Sequence, residues 1–310
     1  MRVVVTGAGG FVGRSLLLRL ADEGHQVVAL DHIAPGAHGG DVLVGDLTDP
    51  GIIARALAGG CDAVVHLATM PGGAAEVDPI GARRINIDAT IALSEAAAAA
   101  GAEPRFVFAS SIAVLGSPLP PVVDDDTPLR PQLVYGAHKA MIEQWLATLS
   151  RRGAVDAVSI RLPGIVARPP GPSGMKSAFM SEVFHALRAG VPFTSPIAAD
   201  ATMWLMSIDT VVNAFLHALT LEAPLPDSRA ITLPALQVRM DELIAAIARQ
   251  TGADTSRVAY APDRDLQAAF GAYPPLSSPT AEALGFAHDG STAALVTSAI
   301  ATIEKQESAQ

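Results

Sequence analysis

Cysteine is almost absent: Cys61 is the single thiol in 310 residues. That excludes an intrachain disulfide framework and a cysteine-rich metal site. Its setting, GGCDAVVHLA, places it just before an apolar run, as a buried structural thiol. Positive charge is scarce as well. Lys plus Arg number 21 against 31 Asp plus Glu, a formal net charge of −10. No basic run gathers those cations, so nucleic acid and anionic membrane surfaces are excluded as expected partners. Long hydrophobic runs are missing too, and none approaches the roughly 20 residues that span a bilayer. MRVVVTGAGG reads as a strand entering a turn rather than as a secretory leader. The expectation is a cytoplasmic, reducing location. The acidic run VVDDDTP (122–128) has no His or Glu beside it. It reads as a solvated loop, and no metal is expected.

What the chain does have is apolar residues, 50% of the total. That suffices for one large domain or two intimate ones. Strand and helix signals alternate through the first half. RVVV (2–5), QVVAL (26–30), DVLVGD (41–46), DAVVHLA (62–68), RFVFASS (105–111) and DAVSIRL (156–162) read as strands. Helical spacing runs through FVGRSLLLRLADEG (11–24), NIDATIALSEAAAAAG (86–101) and the stretch after Val134. Apolar strands separated by helices predict an α/β fold with a doubly wound parallel sheet. The rhythm breaks after residue 165. RPPGPSGMKSAF (168–179) predicts a loop leading into a helix, and helical spacing returns at 207–221 and 240–252. The expected organisation is a dinucleotide-binding domain over 1–165, with a return near 205–232. Residues 166–310 then form mainly a smaller, interleaved substrate lobe.

Gly7, Gly10 and Gly13 in VTGAGGFVG stand where a strand should hand over to a helix. Glycines there permit a tight turn, a close approach of backbone to a pyrophosphate, and a helix lying near the sheet. The helix N-terminus adds N–H donors and the positive end of a dipole. The second strand ends at Asp31, 18 residues beyond Gly13. A carboxylate there bonds ribose hydroxyls and repels a 2′-phosphate, which favours NAD over NADP. Arg14 is a mild opposing signal. Asp46 and Leu47 of GDL are placed to flank the adenine; Asp46 reads alternatively as a helix N-cap.

Tyr135 and Lys139, in VYGAHKA, are four residues apart on a helix and share a face. A free phenol has a pKa of about 10 and is a poor base at neutral pH. A nearby cation favours the phenolate, and such a tyrosine can then take the proton of an alcohol. His66 reads as a satisfied core histidine, and His138 as a side chain on another helix face.

With TGAGGFVG, HLA (66–68), Asn86, ASSIAVLG (109–116) and the Tyr135–Lys139 pair, the chain resembles the extended branch of the short-chain dehydrogenase/reductase superfamily. The resemblance implies a Rossmann fold and a catalytic trio of Ser111, Tyr135 and Lys139. Ser111 would hold the substrate oxygen, and Lys139 would also bond the nicotinamide ribose. It further implies cofactor contacts at Phe11, Val12, Leu67, Ala68, Asn86, Ala109 and Pro163, besides the glycines, Asp31, Tyr135 and Lys139. A homodimer built on helices around 86–101 and 135–152 is implied too. Two departures stand out. Leu133 and Val134 replace a hydroxyl residue usual before the Tyr. In RLPGIVARP, Gly164 replaces the Asn of nucleotide-sugar enzymes, which argues against an epimerase.

RLPGIVARPPGP, SAFMSEV (177–183), MWLMS (203–207), NAFLHA (213–218), ITLPALQV (231–238) and EALGFAHD (282–289) are similar to the D-erythronate dehydrogenase subgroup. That likeness implies NAD-dependent oxidation of the C2 hydroxyl of a small sugar acid. Arg168 and Lys176 are the candidate cations for its carboxylate and Ser177 a hydroxyl donor, with Met70, Ile112 and Gly164 lining the pocket beside Ser111 and Tyr135. Alternatives are a uronate or a sugar epimerisation. A pocket walled by Met70, Met175, Met180, Met203 and Met206 would instead suit a bulkier apolar secondary alcohol, though the same methionines read equally as plain core.

Overall fold

Buried β-branched strands set the architecture. The computed structural model describes residues 1–36, 39–171 and 175–308. Residues 172–174 of the Pro- and Gly-rich loop expected at 168–179 lie outside the described residues. The chain divides into two units. The first comprises Met1–Gly116, Leu129–Leu162 and Val212–Thr232. The second comprises Ser117–Pro128, Pro163–Val211 and Leu233–Gln310.

In the first unit, β1 (Arg2–Thr6) leads into α1 (Phe11–Asp22), followed by β2 (Gln26–Asp31), β3 (Asp41–Val44), α2 (Pro50–Leu57) and β4 (Ala63–His66). Short helices α3 (Gly72–Val77) and α4 (Pro79–Arg83) precede a π-turn at Arg84–Asp88 and helix α5 (Ala89–Ala100). Then come β5 (Arg105–Ser111), α6 (Val134–Arg151) and β6 (Asp156–Leu162). The sheet has seven strands, the seventh being β10 (Ala230–Thr232), in the order β10-β6-β5-β4-β1-β2-β3. All its pairs are parallel. A parallel sheet covered on both faces needs apolar residues in both directions, so its strands read as continuous runs. Val3, Val4 and Val5 of β1 are fully buried, as are Val64, Val65, Phe106 and Val107. Leu93, Ile142 and Leu146 from α5 and α6 pack with Val4, Val64, Phe106 and Phe108 in one core. Strand order reverses between β1 and β4. In such sheets ligands bind at the carboxyl ends of the strands flanking that point.

The second unit carries β7 (Gly164–Val166), α7 (Phe179–Arg188), β8 (Phe193–Ser195) and β9 (Thr202–Ser207). Helix α8 (Ile208–Thr220) returns the chain to β10, and β11 (Leu236–Arg239) and α9 (Met240–Thr251) follow. Strand β12 (Val258–Tyr260) and helices α10 (Arg264–Phe270), α11 (Pro279–Ala283) and α12 (Thr292–Ser308) complete it. It has two small sheets, β11-β9-β7 and β12-β8. Phe179, Phe184, Met203, Leu243 and Leu295 share its core. Met180, Met203 and Met206 are 4%, 0% and 0% exposed. They are packing residues of this unit. The apolar wall expected of five methionines therefore loses three of them to the core.

Candidate active site

Four glycines shape the loop after β1. Gly7 has φ +70°, and a Cβ there would stand 2.5 Å from the Ala68 nitrogen. A Cβ on Gly13 would meet the Gly7 carbonyl oxygen at 2.3 Å, so only glycine lets α1 start this close to the turn. Gly10 is the N-cap of α1, and no side chain caps that end. Phe11 and Val12 open the helix beside it. The cradle is bare backbone at a helix N-terminus, which fits a dinucleotide pyrophosphate.

Asp31 closes the other side. Its carboxylate accepts the Gly9 N–H at 2.8 Å and the Ile33 N–H at 3.0 Å, and it lies 2.8 Å from His32 Nδ1. Gly9 was not singled out from sequence, yet a Cβ there would press on the Ile33 carbonyl at 3.0 Å and the Asp31 carboxylate at 3.3 Å. Asp31 therefore fixes the glycine loop. Asp46 is exposed and accepts the Thr48 N–H at 2.8 Å. The cap of α2 is Asp49, which accepts the Gly51 N–H. Leu47 is buried.

His66 ends β4 at the centre of the unit. Its Nδ1 lies 2.6 Å from Thr6 Oγ1 and its Nε2 2.8 Å from Thr90 Oγ1. The Thr90 hydroxyl donates to the Asn86 carbonyl, so it accepts from His66 Nε2–H. Thr6 then donates to Nδ1. Both nitrogens are satisfied in one neutral tautomer. Burial, and then the charge of Lys139, push this histidine down to about 3. Thr6 Oγ1 also receives the Ala68 N–H at 3.4 Å. The loop Gly7–Gly13, the Leu67–Ala68 segment and α5 are thus tied to one ring.

Asn86 sits in the π-turn, 4% exposed. Its Oδ1 accepts from the Met70 N–H at 2.7 Å and from Thr69 Oγ1 at 3.0 Å, and its Nδ2 donates to the Met70 carbonyl at 3.0 Å. The amide holds the Leu67–Met70 backbone. The extra residue of a π-turn rotates a side chain inward, and such turns cluster at functional sites.

Ser111 ends β5, and its Oγ accepts the Ala113 N–H at 3.1 Å. Ile112 begins the single 3₁₀ turn that follows. Helix α6 starts one residue before Tyr135. Glu76 accepts the Val134 N–H at 2.7 Å and so caps that start from α3. Gly136, missed from sequence, lets the helix approach: its Cβ would stand 2.3 Å from the Ala113 carbonyl oxygen. Lys139 is 2% exposed. Its Nζ donates to the Ala109 carbonyl at 2.7 Å and lies 4.5 Å from the Phe108 ring centre and 5.4 Å from that of Tyr135. Burial pushes Lys139 down to about 7, against the raising effect of Glu143. The structure thus brings the lysine amine to the tyrosine ring and joins it to the strand that ends at Ser111. His138 points elsewhere. Its Nδ1 is buried without a partner, and burial, then Lys139, lowers its pKa.

The remaining candidates belong to the second unit. Pro163 is its first residue after β6. A Cβ on Gly164 would lie 3.0 Å from the Trp204 carbonyl oxygen and 3.1 Å from Met180 Sδ. Arg168 is half-buried, with its carbonyl accepting from His185 Nε2 at 2.6 Å. It lines a small cavity of about 30 Å³ with Met175, Ser181 and Glu182. Lys176 is exposed and Ser177 half-buried.

The described residues contain no cluster able to hold a metal ion, and no helix among them is long and apolar enough to cross a membrane. A D-erythronate dehydrogenase of Cupriavidus necator is 36% identical, covering 94% of this chain and 95% of the relative. One from Haemophilus influenzae is 32% identical, with 81% and 83% covered. The solved structure of a nucleoside-diphosphate-sugar epimerase from Agrobacterium tumefaciens superposes with a TM-score of 0.88 at 30% identity, covering 96% of this chain and 92% of that one. The family model "NAD dependent epimerase/dehydratase family" matches residues 3–231. A bare-glycine cradle, an acidic strand end and a half-buried Tyr135 paired with a buried Lys139 agree with that match: the chain belongs to the NAD dependent epimerase/dehydratase family, as an NAD-dependent dehydrogenase.

Proposed function

We propose that the chain oxidises the C2 hydroxyl of a small sugar acid such as D-erythronate to the 2-oxo acid. The observation that carries the reading is Lys139 held 5.4 Å from the Tyr135 ring centre at the strand end that presents Ser111. The likeness to two D-erythronate dehydrogenases supports the substrate class. NAD⁺, when bound, supplies the hydride acceptor. Gly7, Gly10 and Gly13 would hold its pyrophosphate and Asp31 its adenosine ribose. Ser111, whose Oγ already accepts one N–H, has its O–H to give to the substrate oxygen. Tyr135 removes the hydroxyl proton, and the Lys139 cation favours the phenolate that does so. Lys139 is anchored by the Ala109 carbonyl, so its charge is fixed in place.

A substrate carboxylate that leaves water needs a cation or several donors. Arg168, Lys176 and Ser177 are our candidates. The crowding at Gly164 supports a dehydrogenase over an epimerase, since an Asn there would press on the Trp204 carbonyl and Met180, which would have to give way. The reading includes a cytoplasmic location, supported by a single buried cysteine. It also includes a homodimer, supported by Met141 on α6 and Val77 and Ile80 beside it, which are 57%, 86% and 66% exposed.

The test is turnover of purified protein with NAD⁺ against C4–C6 aldonates, uronates and neutral secondary alcohols. D-Erythronate or a neighbouring aldonate should be oxidised best. Preference for neutral apolar alcohols overturns the substrate class, and light scattering at micromolar concentration that shows a monomer overturns the dimer.

A further inference from the structure

Behind the Tyr–Lys pair, on the same face of α6, lies a fully buried acid that the proposed chemistry does not use. Glu143 follows Lys139 by one helical turn and is 0% exposed. All its partners are inside the first unit. Ser110 Oγ donates to Glu143 Oε1 at 2.5 Å. Arg161, on β6, donates Nε to Oε1 at 3.0 Å and to Oε2 at 3.2 Å, and Nη2 to Oε2 at 2.8 Å. Arg161 Nη1 reaches Thr232 Oγ1 on β10 at 3.4 Å.

The placement is specific. Ser110 and Ser111 are consecutive on β5, so their side chains leave opposite faces of the sheet. One serine ends at the proposed substrate oxygen. The other is bolted to the helix that carries Tyr135 and Lys139. The bolt therefore sets the gap between strand end and helix.

It also carries charge. Buried charges one helical turn apart interact far more strongly than exposed ones. Among the described residues, the charged or titratable groups around the Tyr135–Lys139 pair are Glu76, which is exposed and accepts the Val134 N–H at the start of α6, Asp88, which acts on His138, and four inner groups. His66 stands behind Phe108, and it feels the Lys139 charge. His138 is on another face of α6, and Glu143 and Arg161 close the inner end. His66 is neutral. The balance between the Glu143 carboxylate and the Arg161 guanidinium is thus the adjustable field on the pair.

We propose that Glu143 and Arg161 are positioning residues that set the ionisation of the Tyr135–Lys139 pair by opposing charges. The inference rests on the reading of Tyr135 and Lys139 as the reacting pair. Removing the carboxylate deletes a negative charge, which favours the phenolate and the loss of a proton from the pair. Removing the guanidinium leaves the carboxylate uncompensated and does the reverse.

The experiment is the pH profile of kcat/KM for the best aldonate with saturating NAD⁺. It is paired with a titration of the tyrosinate ultraviolet band that Tyr135→Phe removes. That band is separable because the chain has only three tyrosines. Glu143→Gln should move the acid limb and the tyrosinate midpoint to lower pH by about one unit. Arg161→Met should move both to higher pH by a similar amount, as expected when the buried Glu143 carboxylate one turn from Lys139 is left uncompensated. The double variant should return near the wild-type profile. Where Arg161→Met does not fold, Arg161→Gln makes the same change of charge and keeps hydrogen-bonding atoms.

A purely structural bolt would lower Tm and kcat in every variant without opposite shifts. Profiles within about 0.3 unit of wild type, or shifts of one sign, overturn the proposal. Failure of the reacting-pair reading looks different: Tyr135→Phe would then keep its turnover.

Discussion

The neutral imidazole of His66 makes the protein's stability depend on acidity, and the size of the effect can be worked out. In the unfolded chain a histidine titrates near 6.5; in the folded chain His66 is held down to about 3. Below pH 6.5 the unfolded state takes up a proton that the native state refuses. Stability therefore falls as pH falls, from about 6.5 down to about 3, at roughly 1.4 kcal/mol per pH unit. Above pH 7 the group contributes no slope. Between pH 7 and pH 5 the expected loss from His66 alone is about 2 kcal/mol, and near pH 3 it reaches about 4 kcal/mol. Carboxylates and His138 titrate in this range as well, so the measurement must be differential. Urea unfolding of wild type and His66→Gln at pH 7 and pH 5 supplies it. The Gln variant should be less stable at pH 7 by about 1–3 kcal/mol, since it gives up well-formed buried hydrogen bonds. Its further loss on going to pH 5 should be smaller than that of wild type by about 2 kcal/mol. Equal losses in the two proteins would refute the assignment of a buried, neutral ring between Thr6 and Thr90.

Further outcomes are expected. Tyr135→Phe should lower turnover at least about a hundredfold while NAD⁺ binding persists, by stopped-flow and by titration calorimetry. Asp31→Ala should weaken NAD⁺ binding and relax the preference over NADP⁺ in paired kcat/KM measurements, because it frees the Gly9 loop and removes the repulsion of a 2′-phosphate. Gly13→Ala should displace α1 from the Gly7 carbonyl and raise the NAD⁺ Kd at least about tenfold, by overpacking. Arg168→Ala or Lys176→Ala should raise KM for the acid by about one to two orders of magnitude with no change in NAD⁺ affinity, as charge-assisted bonds are worth about 1.5–3 kcal/mol.

The parallel sheet was legible because its strands must be apolar on both sides, and Val3–Val5, Val64–Val65 and Phe106–Val107 announce it without any periodicity. Gly7, Gly10 and Gly13 were legible because their spacing follows a strand. Gly9 and Gly136 were not, since what demands glycine there is an atom from a distant part of the chain: the Asp31 carboxylate and the Ala113 carbonyl. Distance along the chain also hid the Ser110–Glu143–Arg161 set, whose members are 33 and 18 residues apart. A Glu one turn after Lys139 was the available signal. In the second unit, three-residue strands such as Phe193–Ser195 and Val258–Tyr260 are too short to show alternation. The methionines there read either as a pocket wall or as plain core, and composition cannot tell a core residue from a lining one; burial puts Met180, Met203 and Met206 in the core.

Strand β10 reaches its place on β6 only after the chain has passed through 163–211. During synthesis, a nascent chain that ends anywhere before Thr232 has an unpaired β6 edge and an Arg161 without its Thr232 partner. An open edge of this kind invites pairing with another chain. A fragment cut after Leu162 should therefore aggregate rather than fold into half an enzyme. Completion of the seven-stranded sheet must wait until most of the second unit's first long segment has been made. Chaperone dependence should concentrate in that interval of translation.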